Sequence, residues 1–131
     1  TRAKPVYKET MRKRPAVKHE HQEQVSFVQH VRAFYPDIVI FAIPNGGNRS
    51  AREGKRLKNE GVLAGVSDLF VPEPRGPYHG LFIEMKRTKG GSTSSNQDDF
   101  LDDMAMRGYC TAVCRGAQEA RAAFEAYLAL G

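Results

Sequence analysis

Gly65-Val66-Ser67-Asp68-Leu69-Phe70-Val71 and, one turn later, Leu81-Phe82-Ile83-Glu84-Met85-Lys86 are the stretches whose reading decides the fold. Asp68 to Val71 and Leu81 to Met85 are short apolar runs with the composition of strands. Pro72 to Gly80 between them holds three prolines and two glycines, the chemistry of a turn, so the pair is expected to form an antiparallel hairpin. In a strand, residues two apart leave the same face, so Glu84 and Lys86 project together and the hairpin partner brings Asp68 alongside. An acid and a lysine inside an otherwise apolar strand are costly unless they pair with each other or hold a cation.

Upstream of the hairpin, Ile38-Val39-Ile40-Phe41-Ala42-Ile43 is a continuous apolar run bounded by Pro36 and Pro44, which predicts a strand buried on both faces. Pro44-Asn45-Gly46-Gly47-Asn48 is a loop able to approach a phosphate or another backbone closely. Ser50 is placed to cap a short helix, Ala51 to Glu60, with Gly61 as its stop. Leu57 is the only large apolar residue there, so this helix is expected on the surface with Arg52, Lys55, Arg56 and Lys58 outward. The first regular element is a helix from about His19 to Tyr35, whose stripe runs through Phe27, Val31 and Phe34. Glu20 projects close to the centre of that stripe and Glu23 onto its edge. Glu20 is either solvated at a frayed end, near the positive pole of the dipole, or turned into a polar site at the rim of the core.

Downstream, Thr88 to Ser95 is small and polar, a flexible loop in composition. Ser94 with Gln97 forms a candidate capping box for a helix to Arg107, with Gly108 as its stop. Gln97, Leu101 and Met104 share one face of that helix. Tyr109 to Cys114 reads as a strand and Ala117 to Leu130 as a closing helix. The order helix, strand, short helix, strand, strand, helix, strand, helix predicts an α/β (α+β) fold, a mixed sheet flanked by helices.

Charge is distributed unevenly along the 131 residues, which suit one domain. Residues 1–18 hold seven Lys/Arg against one Glu, while the whole chain nets +5, so the surplus lies in this basic segment. It reads as a flexible arm for phosphate contact, with 19–131 as the folded domain. The Arg49, Arg52, Lys55, Arg56, Lys58 cluster adds a second basic patch, and Lys89 a further cation in the loop after Lys86. No stretch approaches the roughly 18 to 20 apolar residues of a membrane span, and no secretory signal is visible, so a soluble intracellular protein is expected. Cys110 and Cys114 have no second pair to complete a zinc site or disulfide framework and read as buried thiols. His19-Glu20-His21 lacks the spacing of a zinc helix, and Gly46-Gly47 is not followed by the Lys-Ser/Thr of a phosphate-binding loop. Asp98, Asp99, Asp102 and Asp103 read as a solvated helix face.

Carboxylates are the hard oxygen ligands that Mg²⁺ or Mn²⁺ takes, and a cation so held can polarise a phosphate and acidify a water. Asp68 and Glu84 supply such ligands, Lys86 has the reach to stabilise negative charge on a phosphodiester under attack, and Glu20 offers a third carboxylate.

Asp68 followed by Glu84-Met85-Lys86, with an acid on the preceding helix, resembles the PD-(D/E)xK nuclease superfamily. Its company is more specific: Glu20 with Gln24, Pro44-Asn45-Gly46-Gly47, Gly65-Val66-Ser67-Asp68-Leu69, Ile83-Glu84-Met85-Lys86, Ser95 and Gln97, then Gly108-Tyr109. In that order the chain resembles the VRR-NUC family, the virus-type replication-repair nucleases, over about residues 19–130. The resemblance implies an αβββαβ core with a four-stranded mixed sheet, a C-terminal helix and the short basic helix inserted. It makes Asp68 and Glu84 metal ligands, the Met85 main-chain carbonyl a further one and Lys86 the catalytic lysine. Glu20 becomes the helix acid, with Glu23 as the alternative one turn away, Gln97 the glutamine facing the site, and Asn45 a residue near the substrate phosphate. Ser67 stands where the superfamily name has proline. The implied activity is a Mg²⁺- or Mn²⁺-dependent endonuclease without a small-molecule cofactor. By resemblance to Holliday junction resolvases it would cut branched DNA as a homodimer, in the cytoplasm of a bacterium or a phage-infected host.

Overall fold

The hairpin forms as its spacing predicts in a computed structural model of the chain, which describes residues 16–44 and 50–131. Strands β2 (Leu69–Val71) and β3 (Leu81–Lys86) run antiparallel, with Leu69 opposite Ile83 and Val71 opposite Leu81. This register divides the side chains into two sets. Leu69, Val71, Leu81, Ile83 and Met85 are buried on one face, while Phe70, Phe82, Glu84 and Lys86 occupy the other.

Helix α1 (Ala16–Phe34), strand β1 (Phe41–Ala42) and helix α2 (Ala51–Asn59) precede the hairpin. Helix α3 (Ser95–Met106), strand β4 (Cys110–Arg115) and helix α4 (Gly116–Leu128) follow it. The sheet order is β1-β2-β3-β4, antiparallel except for the parallel β3–β4 pair, which the crossover through α3 makes possible. Helices α1 and α4 pack together against the first face, where Phe27 meets Phe124 edge to face at 6.0 Å within the main core. On the second face Phe70 stacks on Phe82 at 4.4 Å, and Phe100 and Tyr109 meet Phe82 edge-on. The fold is thus the expected αβββαβ core with α2 inserted and α4 appended.

Helix α2 has no buried residue, as its single large apolar side chain predicts. Ser50 caps it by accepting a hydrogen bond from Glu53 N at 3.1 Å, and Gly61 follows with φ +108°. Helix α1 starts at Ala16, within the segment read as the basic arm; the rest of that segment lies outside the described residues. No described helix is long and apolar enough to cross a membrane. Both cysteines are free, Cys114 buried and Cys110 half-buried.

The run Ile38 to Ile43 departs from expectation. Only Phe41–Ala42 is strand, and it lies at the sheet edge with Val39 58% and Phe41 42% exposed, while Ile40 is buried. A continuous apolar run carries no period that distinguishes a strand covered on both faces from an edge strand with one face open. Phe41 instead spends its apolar surface on an edge-to-face contact with Phe70 at 5.7 Å.

Candidate active site

Continuing the β2–β3 register one residue beyond Leu69 and Ile83 sets Asp68 across from Glu84. Glu84 is 2% exposed, with an apolar layer on the reverse of its strand. Asp68 Oδ2 accepts a hydrogen bond from Met85 N at 2.7 Å, which fixes the carboxylate at the end of the ladder. Two carboxylates in one buried corner make ionisation of the second unfavourable. Burial pushes the Glu84 carboxyl up to about 9, the hydrogen bond and negative charge of Asp68 push the same way, the Lys86 charge opposes them, and Glu20 adds a further rise.

Lys86 is half-buried, and its Nζ donates to Gln97 Oε1 at 3.1 Å. The same oxygen accepts from Ser94 N at 2.9 Å, while Gln97 N donates to Ser94 Oγ at 3.2 Å. The capping box that starts α3 therefore also presents its carboxamide to the lysine. A second device sets the height of α3. Gly65 has φ +92°, and a Cβ there would stand 2.3 Å from Asn96 O, so the loop leading into Asp68 touches the first turn of α3 only because residue 65 is glycine.

The two acids of α1 have separate surroundings. Glu20 is half-buried and its charge is felt at Glu84, whereas Glu23 Oε2 accepts from Ala117 N at 2.8 Å and so satisfies the start of α4. Of the pair left open by the sequence, Glu20 is the one whose charge reaches Glu84, and Glu23 is the one engaged by α4. Arg52, Lys55, Arg56 and Lys58 are exposed on α2, where Arg56 pairs with Glu60 at 2.9 Å, and Lys89 is exposed in the loop after β3. Asn45 and Arg49 lie outside the described residues. Asp98, Asp99, Asp102 and Asp103 are exposed, with Asp103 bonded to Arg107, in keeping with a solvated face. Ser67 is fully buried at the position of the superfamily's proline.

The donor set suits a hard divalent cation. Asp68 and Glu84 offer carboxylate oxygens in a corner where negative charge is poorly compensated by protein alone, the situation such a cation relieves. Among the described residues no three His, Cys, Asp or Glu side chains gather tightly enough to enclose an ion by themselves, so the protein ligands fall short of a full shell.

Two features of the site escaped sequence reading. Glu23 as the cap of α4 and Arg115 as a donor to the loop after Lys86 both act on main-chain groups, which carry no sequence signature.

A hairpin that sets two acids and a lysine at one end of a mixed sheet, with a crossover helix bringing a glutamine to the lysine, defines the nuclease fold of the PD-(D/E)xK class. Comparison with known families narrows this: the VRR-NUC domain matches residues 4–118, and the chain belongs to the VRR-NUC family. That match begins inside the basic segment, where the resemblance seen in the sequence begins at His19. A solved structure of a VRR_NUC domain protein is similar with a TM-score of 0.76 and 28% sequence identity, over 86% of this chain and 90% of that one. No curated protein matches the sequence significantly.

Proposed function

We propose that this chain is a divalent-metal-dependent DNA endonuclease that cuts branched DNA as a homodimer. The observation that carries the catalytic part is the convergence of Lys86, held by Gln97, on the strand end that also bears the buried Glu84 and its partner Asp68. A divalent cation held by Asp68 and Glu84 would withdraw electron density from the scissile phosphate and acidify a water at the site. The protein's own groups do the rest. Lys86 carries a positive charge to the place where the phosphate gains negative charge, and Gln97 restricts its ammonium to one region. Asp68 is oriented by Met85 N–H, and in an antiparallel ladder the carbonyl of a residue leaves the strand on the side of its N–H. On that ground the Met85 carbonyl, on the side of the N–H that holds Asp68, would serve as a further ligand. Glu20 approaches from α1 as the third acid.

The DNA substrate follows from the family and from the exposed Lys/Arg row of α2. Branched DNA and a homodimer rest on the likeness to junction resolvases, and two symmetry-related sites suit two strands at one junction. Cleavage of a labelled four-way junction, a 5′ flap, a nicked duplex and a linear duplex in Mg²⁺, Mn²⁺ or EDTA tests the proposal, with sedimentation alongside. Symmetric, metal-dependent cuts confined to the junction by a dimer are expected. Flap or duplex cutting by a monomer would leave a nuclease of another specificity, and tight binding without any cut would leave a DNA-binding module. Lys86→Ala should lower turnover by about 10²-fold or more. It should leave DNA affinity within about twofold.

A further inference from the structure

The loop joining Lys86 to Gln97 is fastened at three points. At its start, Thr88 packs against Gly116, where a Cβ would stand 2.7 Å from Thr88 Cγ2, so the turn into α4 accommodates the loop through the absence of a side chain. At its end, the Ser94–Gln97 capping box closes, and the Thr93 hydroxyl donates to the Asp98 carboxylate. Between these, the Arg115 guanidinium donates to three main-chain carbonyls: Arg87 at 3.5 Å, Gly91 at 2.7 Å, and Gly90.

Arg115 is the last residue of β4 and the register partner of Lys86 across the parallel ladder. A basic side chain so close to a nuclease site would ordinarily be assigned to a substrate phosphate. Here both terminal nitrogens are aimed at the protein's own loop, and a planar fork of donors suits several carbonyls at once. The nearby carboxylates are engaged elsewhere: Glu119 accepts from Arg115 N and Glu23 from Ala117 N, both at 2.8 Å.

We infer that Arg115 is a positioning residue for the Lys86–Gln97 pair: by gathering the carbonyls of residues 87, 90 and 91 it sets the loop in one conformation, which delivers Ser94 and Gln97 to the lysine. The inference rests on the nuclease function proposed above. It predicts an effect on turnover rather than on substrate affinity, and dependence on the arginine fork rather than on its charge.

The test compares wild type, Arg115→Ala, Arg115→Lys, Gln97→Ala and the Arg115→Ala/Gln97→Ala double variant on the preferred DNA substrate with Mg²⁺ at fixed salt. DNA affinity is measured in parallel. Turnover at saturating DNA should fall about tenfold or more in Arg115→Ala with affinity within about twofold. Arg115→Lys should fall nearly as far, because a lysine keeps the charge and loses the fork. The double variant should be no slower than Gln97→Ala by more than about twofold, since the two act in series. Hydrogen exchange gives a readout independent of cleavage: the Ser94 and Gln97 amides, which donate within the cap, should exchange faster once Arg115 is replaced.

Full turnover in Arg115→Lys, or losses that multiply in the double variant, would overturn the inference. A raised Kd with a shallower salt dependence would assign Arg115 to the substrate phosphate instead. Should Arg115→Ala fail to fold, Arg115→Lys carries the same comparison. Absence of cleavage by wild type on every substrate would remove the nuclease function, while exchange at residues 94 and 97 still decides whether Arg115 orders the loop.

Discussion

Glu84 is a carboxyl kept where its charge is disfavoured, and this gives a prediction with a definite sign. Its folded value is pushed up to about 9 from 4.5, first by burial and then by Asp68. Between those two values the unfolded chain has released a proton that the fold retains, so ionisation favours the unfolded state. Without a divalent ion, the contribution of Glu84 to stability should fall as pH rises from about 4.5 toward about 9. Urea denaturation in EDTA should find Glu84→Gln more stable than wild type at pH 8 by about 2 to 4 kcal/mol. The gap should nearly close at pH 5, and the variant should have lost cleavage. An equal gap at both pH values would show that Glu84 is ionised throughout. Glu84, Asp68 and Lys86 were legible in the sequence because charge inside an apolar strand demands a reason. Gln97 came from the family resemblance, with which its place on the apolar face of its helix agrees, and the structure sets it against Lys86. The choice between Glu20 and Glu23 was not legible, since both lie on one side of α1 and only the packing of α4 shows that Glu23 is taken up in capping a neighbour.

Strand β3 fixes where the acids stand, and α3 fixes what meets the lysine. The parallel β3–β4 pairing requires a crossover, and the crossover helix starts with its first turn over the end of β3, so topology brings Gln97 to Lys86. Helix α3 is held at that end by its capping box and by the close approach of Gly65 to Asn96. Gly65→Ala combines a positive φ with a Cβ inside contact distance of main-chain atoms, so it should destabilise the fold by about 1 to 3 kcal/mol. It should also slow cleavage more than it weakens DNA binding, measured by thermal denaturation and saturating-substrate kinetics. Ser94→Ala removes only the acceptor for Gln97 N and should cost about 1 kcal/mol of helix stability. The element order was readable from period and punctuation. The edge position of β1 was not, because six apolar residues in a row say nothing about which neighbour covers them; that is decided by α1 and α4 lying on one face and by Phe70 meeting Phe41 on the other.

At the scale of the whole molecule, charge and chemistry are segregated. The chain nets +5, yet residues 1–18 alone hold seven Lys/Arg against one Glu, so the remainder is close to neutral and the corner that gathers Asp68 and Glu84 is carboxylate-rich. Carboxylates disfavour an approaching phosphodiester until a cation is bound, so on the proposed function nonspecific affinity is expected from the basic residues of 1–18 and from the exposed row Arg52, Lys55, Arg56 and Lys58. The two sources separate experimentally. Replacing the seven Lys/Arg of residues 1–18 by Gln should weaken DNA binding mainly at low ionic strength. The slope of log K against log salt should become shallower by about 0.9 for each phosphate that is no longer neutralised. Cleavage at saturating DNA should be unchanged, because none of the proposed site residues, Glu20, Asp68, Glu84, Lys86 and Gln97, is replaced. Replacing the four basic residues of α2 should reduce the same slope and, if α2 sets the substrate's course across the site, shift the position of the cut. An unchanged slope after neutralising residues 1–18 would assign DNA affinity to the folded domain alone. Steering and chemistry would then share one surface, and the surplus charge at the start of the chain would have to act on something other than DNA.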